Sequence, residues 1–200
     1  MAVDAYMYFK DYAGNYISGE SQVDLSFNTN DTLATDFVAA LKVNGVFEIE
    51  DYGFGTEQTY NIGSQSTGLG AGKIKLNPFH ITRKIDKCSP LMFQNSASGK
   101  SFQQVGIGCR KSAGTESSGI FYLLWTFSLV GVQTIEYSHD EESPKETINF
   151  VYGAKTMQYC QQNNDGSPGG VTQGGWNQQT NTAATYGQTS GTIGKSNAKG

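Results

Sequence analysis

Gly119-Ile120-Phe121-Tyr122-Leu123-Leu124-Trp125-Thr126-Phe127-Ser128-Leu129-Val130-Gly131-Val132 is the most strongly patterned segment of the chain. Its odd positions from Phe121 to Leu129 are uniformly large and apolar. Its even positions run from Ile120, Tyr122 and Leu124 to the hydroxyls of Thr126 and Ser128. Side chains of a β-strand alternate between two faces, so this pattern predicts a strand. A sheet wetted on one side would alternate cleanly between apolar and polar. The apolar even positions predict instead a second covered face, under a helix, another sheet or another subunit. Thr126 and Ser128 interrupt a run already shorter than the roughly 18 residues that mark a membrane helix.

Neighbouring segments carry weaker versions of the same signal. Val3–Lys10 places Val3, Ala5, Met7 and Phe9 on one face and Asp4, Tyr6, Tyr8 and Lys10 on the other. Phe102–Arg110 also alternates. Val46–Tyr60 holds two short strand signals broken at Gly53 and Gly55, where a bulge or bend is expected. Lys73–Thr82 has strand composition, with Pro78 predicting an edge or bulge. Glu146–Gln161 gives a long strand signal interrupted at Gly153. Two short helices are expected. Ser89–Gly99 offers Ser89 as N-cap, Pro90 in the first turn and Gly99 past the end. Thr32–Lys42 carries Leu33, Phe37, Ala40 and Leu41 on one stripe. Many strands with few helices predict a sandwich or small barrel.

The chain has 200 residues, of which 16% are charged, with a net charge of -4, so its polarity comes from 13 Asn, 14 Gln, 18 Ser, 18 Thr and 25 Gly. A basic patch for nucleic acid is missing. Met1-Ala2-Val3-Asp4 has neither the basic nor the apolar region of a secretory signal, so none is expected. Cys88, Cys109 and Cys160 have the spacing of neither a disulfide framework nor a zinc site, and read as buried thiols. Domain organisation is expected as residues 1–160 followed by a Gly/Asn/Gln/Thr-rich tail, 161–200. Within that tail Trp176, in Gly174-Gly175-Trp176-Asn177, is a candidate docking residue.

Tests for chemistry fail one after another. Ser98-Gly99-Lys100-Ser101 ends like a phosphate-binding loop, but the Gly that the motif needs is Gln94. Gly68-Leu69-Gly70-Ala71-Gly72-Lys73 has Lys73 where a dinucleotide loop needs its third Gly. Gly19-Glu20-Ser21-Gln22-Val23 breaks a nucleophile elbow at its last position. A Cys–His pair lacks anything local to activate it. Glu136–Glu142 lacks the spacing of a calcium loop and reads as a solvated hairpin turn. No catalytic residue, cofactor or metal is therefore expected.

Several elements in order carry a family resemblance. Gly70-Ala71-Gly72-Lys73 is followed by Phe79-His80-Ile81-Thr82-Arg83-Lys84-Ile85-Asp86-Lys87-Cys88-Ser89-Pro90 and then Ser98-Gly99-Lys100. Met1–Asp4, Gly19-Glu20-Ser21, Tyr122–Leu124, Asn149-Phe150 and Gly175-Trp176-Asn177 add to it. The chain resembles the haemolysin-coregulated protein (Hcp) family, the inner tube protein of the bacterial type VI secretion system, over residues 1 to about 180. Cys88 stands where the first Ser of the family's Ser-Ser-Pro lies. The resemblance implies a small antiparallel β-barrel of two packed sheets with one short flanking helix. Six copies would form a ring, and rings would stack into a tube. The implied partners are further copies of the chain, a contractile sheath, a spike protein and small effectors carried in the channel. The implied route is assembly in the cytoplasm and export by the machine itself, without a signal peptide. Two departures stand out: an insertion at about 22–46, holding the Thr32–Lys42 helix, and the tail beyond Asn177.

Ring closure needs a head-to-tail contact. The strand positions Tyr122, Leu124, Trp125 and Phe127 are candidates for it, against the competing reading that both faces pack within one domain. For ring stacking the candidate is the loop Gly63, Ser64, Gln65, Ser66, Thr67, Gly68 and Leu69, where the family carries an extended loop. A phage-type tail-tube subunit and a monomeric ligand-binding barrel remain as alternatives, separated by dependence on export and by the number of chains in solution.

Overall fold

The computed structural model describes residues 4–22, 33, 35–61, 70–111, 120–139, 143–163 and 168–185. In chain order the elements are β1 (Asp4–Lys10), α1 (Thr35–Leu41), β2 (Phe47–Ile49), β3 (Asp51–Gly53), β4 (Thr56–Asn61), β5 (Gly70–Leu76) and β6 (Phe79–Lys84). They continue with α2 (Ser89–Ser98), β7 (Ser101–Lys111), β8 (Ile120–His139), β9 (Pro144–Val151), β10 (Ala154–Gln162), β11 (Pro168–Asn177) and β12 (Thr182–Ala183). All pairings are antiparallel. One ladder runs β12-β11-β10-β8-β7-β1-β2, and a branch from β8 runs through β9 and β6 to β3. β4 and β5 form a separate hairpin.

Two places hand the chain from one layer to the other. β2 pairs with β1, and after Glu50 the same chain pairs as β3 with β6. At that corner the Glu50 N–H donates to Thr82 O at 2.8 Å. No β2–β6 ladder forms among the described residues, so the expected barrel is mainly β and two-layered but not fully closed. The second place is β8, which spans 20 residues. Its first half pairs with β7 on one side and β10 on the other; its second half pairs with β9.

β8 manages this by changing phase. Tyr122 is an extra residue between the pairs Leu123–Cys109 and Phe121–Arg110, and Gln133 is another between Val132–Phe150 and Thr134–Asn149. Each bulge moves the following side chains to the opposite face. Between them Leu129 has φ 55°, in the left-handed region, where the partner of β8 changes from β10 to β9. As a result Trp125, Phe127, Val130, Val132 and Ile135 all contribute to one core. The alternation read from the sequence therefore holds only locally.

That core fills the space between the layers. Phe9, Phe47, Phe79, Phe102, Phe127 and Phe150 are buried in it with Met7, Ile81, Val105, Ile107 and Met92. Phe79 stacks between Phe127 and Phe150, with centroids 4.2 and 4.7 Å away. A second core lies on the outer face of β1, β7 and β8: Tyr6, Tyr8, Phe121, Leu124 and Cys160 beneath Leu33, Phe37 and Ala40. The second covered face expected for the long strand is thus supplied in part by α1. Gly106 and Gly108 make this possible. A Cβ at Gly106 would lie 2.2 Å from the Tyr8 ring, and one at Gly108 would lie 2.6 Å from Phe121.

Several expectations need correction. Lys73–Thr82 is not one strand: Asn77 and Pro78 separate β5 from β6, because Pro offers no N–H to a ladder. Glu136–His139 belong to β8 rather than to a turn, since their backbone pairs with β9; residues 140–142 lie outside the described set. The Ser89 hydroxyl is not a cap. Cys88 holds the N-cap position without a side-chain cap bond, while Gly99 ends α2 with φ 69° as expected. Residues 168–177 and 182–183, in the stretch expected as a tail, are strands of the sheet. Their stability comes from the ladder with β10 rather than from Gly-rich β11 itself.

Candidate functional site

The segment that carries the family motif is built around a buried ion pair. Arg83 on β6 lies directly across from Glu146 on β9, and both side chains point into the core end. Arg83 Nε and Nη2 reach Glu146 Oε1 at 2.8 and 2.6 Å. Arg83 Nη2 is also 3.2 Å from Asp86 Oδ1, and its guanidinium lies 4.9 Å from the Phe47 ring centroid. Ser89 Oγ donates to Glu146 Oε1 at 2.9 Å and accepts from the Asp86 N–H at 3.1 Å. The Asp86 carboxylate accepts from the Cys88 N–H at 2.8 Å. The sequence from Arg83 to Ser89 thus folds back so that β6, β9 and the start of α2 share one charged knot. Burial pushes the neighbouring Cys88 thiol up to about 12, so it stays protonated and unreactive.

A second polar knot fixes α1. Asp36 accepts from the Tyr16 hydroxyl at 2.5 Å and from Gln104 Nε2 at 2.9 Å, and pairs with Lys10 at 3.3 Å. Gln104 Nε2 also donates to the Tyr8 hydroxyl. Burial, then the bond to Asp36, raises the Tyr16 pKa well above its ordinary value. Neither knot was found from the sequence. Arg83 stood inside the motif, but nothing in the spacing tied it to Glu146 or tied Asp36 to Tyr16.

The candidate interface positions separate. Leu124 and Phe127 are buried within one chain, in the outer and inner cores respectively. Trp125 is half-buried against Phe54, with ring centroids 4.8 Å apart. Tyr122 is half-buried, edge-on to Tyr159 and beneath Lys111. Trp176 sits on β11 opposite Lys155 and Ala183, half-buried on the sheet. Lys155 lies over the rings of Phe54 and Trp125, and burial lowers its pKa. The stacking candidates Gly63–Leu69 lie outside the described residues, between β4 and β5.

Exposed apolar surface gathers near one end of the long ladder. Met157, Tyr159 and Val171 are 36, 41 and 43% exposed. β11 pairs with β10 along its length, but with β12 only at Trp176 and Asn177, so its outer edge from Pro168 to Gly174 carries no strand among the described residues. An unpaired edge beside apolar side chains is a template for another chain. Among the described residues no group of three or more His, Cys, Asp or Glu side chains is placed to hold a metal ion.

The architecture is that of a two-layered antiparallel β-domain. A family model described as "Type VI secretion system effector, Hcp" matches residues 6–159, and the chain belongs to that family. It is a tube subunit of the type VI secretion system. The Protein hcp1 of Pseudomonas aeruginosa is 30% identical over 115 residues, covering 56% of this chain and 70% of that protein. A solved structure described as a type six secretion system protein has TM-score 0.70 at 21% identity, covering 92% of this chain and all of that one. Hcp1 from Salmonella typhimurium has TM-score 0.64 at 23% identity, with 92% and 100% covered.

Proposed function

We propose that six copies of this chain close into a ring, and that rings stack into a hollow tube exported by the secretion system. The observation that carries the reading is the outer edge of β11, unpaired from Pro168 to Gly174 among the described residues, beside Tyr122, Met157 and Tyr159. A heterologous contact made there on every copy is of the kind that closes by rotation. The β4–β5 hairpin is the stacking element, through the residues 63–69 that join its two strands in sequence. The insertion at 22–46 adds a covered face to the tube-type domain. The partners are the contractile sheath, a spike protein and small effectors, and the chain leaves the cytoplasm through the secretion machine itself. A neutral Ser/Thr/Asn/Gln surface suits a channel that must release its cargo, because it offers neither apolar adhesion nor a strong fixed field.

Size-exclusion chromatography with light scattering, followed by negative-stain microscopy, tests the reading. Hollow rings of six chains are expected. A single chain at high concentration overturns it. Tyr159→Glu should abolish rings while the circular dichroism of the chain stays unchanged; intact rings would remove β10–β11 from the contact. Deleting 63–68 should leave rings intact and shorten tubes, and tubes of unchanged length would reject that role. Six copies at -4 each give a ring of about -24, so stacking should strengthen as salt screens the repulsion.

A further inference from the structure

We infer that the outer face of β8 and β10 is a binding site for ordered water. Thr126 Oγ1, Ser128 Oγ, Thr156 Oγ1 and Gln158 Oε1 are all buried, and none has a hydrogen-bond partner. The residues themselves are 1, 2, 1 and 7% exposed. They are neighbours by register. Thr126 and Thr156 face each other across β8 and β10, Ser128 is opposite Ala154, and Gln158 is opposite Leu124. All four lie on the face turned away from the aromatic core.

Buried hydroxyls and amide oxygens in folded proteins are almost always satisfied, by protein or by ordered water. Four orphaned oxygens on adjacent positions of two paired strands are one site rather than scattered exceptions. The shape of the face agrees. One row across four strands reads Gly106, Thr126, Thr156 and Gly175, and the next reads Gln104, Ser128 and Ala154. The small side chains in the middle form a trough. Tyr8 rises beside it over Gly106, and Ala184 O lies 2.7 Å from where a Gly175 Cβ would stand.

The chemistry selects the occupant. Thr126, Ser128 and Thr156 each bring a donor and an acceptor, whereas Gln158 Oε1 only accepts. The occupant must therefore both donate and accept, and must fit between side chains whose Cβ atoms are about 5 Å apart across a strand pair. Lys10, opposite Gln104 on this side of the sheet, is paired with Asp36, which argues against an ion held by either group. Water meets each requirement, and a water site needs two to four polar partners. One molecule bridges Thr126 and Thr156; a second joins Ser128 to the same cluster.

The test compares the full chain with T126V/T156V and T126S/T156S, using ¹⁷O water relaxation dispersion and denaturant unfolding. Long-lived internal water is expected in the wild type and in the serine variant. The valine variant should lose at least one such water, and its unfolding equilibrium constant should rise about tenfold. If the hydroxyls are dry, valine removes an uncompensated polar group, and the variant is as stable as wild type or more so; that result overturns the site. Absence of long-lived water from the wild type overturns it as well. If the valine variant fails to fold, the wild-type and serine dispersions decide alone.

Discussion

Both faces of the β8-β7-β1 part of the sheet carry a buried core, yet they are built on different principles. The inner face is a jigsaw of phenylalanines, closed at one end by the Arg83–Glu146–Ser89 knot. The outer face is made of tyrosines, glycines and hydroxyls beneath α1, held by Asp36. On the inner face stability comes from close contact between large apolar groups, and any loss of volume leaves a cavity. On the outer face it comes from a short helix lying on a surface kept low by Gly106 and Gly108.

Substitutions can break this contrast or sharpen it. The largest effect is expected for Phe127→Ala, which empties the stack with Phe79 and should cost about 4 kcal/mol in denaturant unfolding. A cost below 1 kcal/mol would mean that the inner face is not tightly packed. Glu146→Gln comes next, at about 3 kcal/mol, because the Arg83 guanidinium remains buried with its main counter-charge gone. Gly106→Ala, on the outer face, should cost about 2 kcal/mol by driving the Tyr8 ring off the sheet. Nuclear magnetic resonance should place its shifts in α1 rather than among the phenylalanines. Asp36→Asn should cost about 1 kcal/mol and speed hydrogen exchange in α1 while leaving β6 and β9 unchanged.

At neutral pH the Cys88 thiol is protonated in the folded and the unfolded chain alike, so its ionisation sets a slope only in alkali. Its folded pKa, about 12, lies above the ordinary thiol value of 9.0, so the folded chain keeps a proton that the unfolded chain releases. The corresponding stability is fully present below pH 9 and is lost as pH rises towards 12, by about 1.4 kcal/mol per pH unit. Cys88→Ala should flatten the pH dependence of unfolding in that window. An unchanged slope would place the raised pKa elsewhere, for instance at Tyr152, whose hydroxyl burial pushes up to about 12.

Much of the fold was legible because local pattern and tertiary structure agree. β1 keeps its predicted alternation, Gly53 ends β3, Gly153 lies in the break between β9 and β10, and Gly99 ends α2. What escaped depends on contacts distant in sequence. Ser89 looks like an N-cap by position, but Glu146 lies across the fold and takes its hydroxyl. β11 has too many glycines to announce a strand, and exists because β10 offers it a ladder. The interface candidates failed to separate in the sequence for the same reason. Alternation already puts Leu124 and Phe127 on opposite faces, but only the fold shows that each of those faces is covered by a core of the same chain.

The phase changes along β8 bear on how this chain tolerates a shift in its own text. A strand of 20 residues with one uninterrupted alternation would be ruined by a single inserted or deleted residue, since everything downstream would turn inside out. β8 instead resets its frame at Tyr122, Leu129 and Gln133, so each phrase between resets is read by its own neighbours. A miscopied residue spoils one phrase and leaves the others intact, and a bulge is a place where a lost residue can be absorbed.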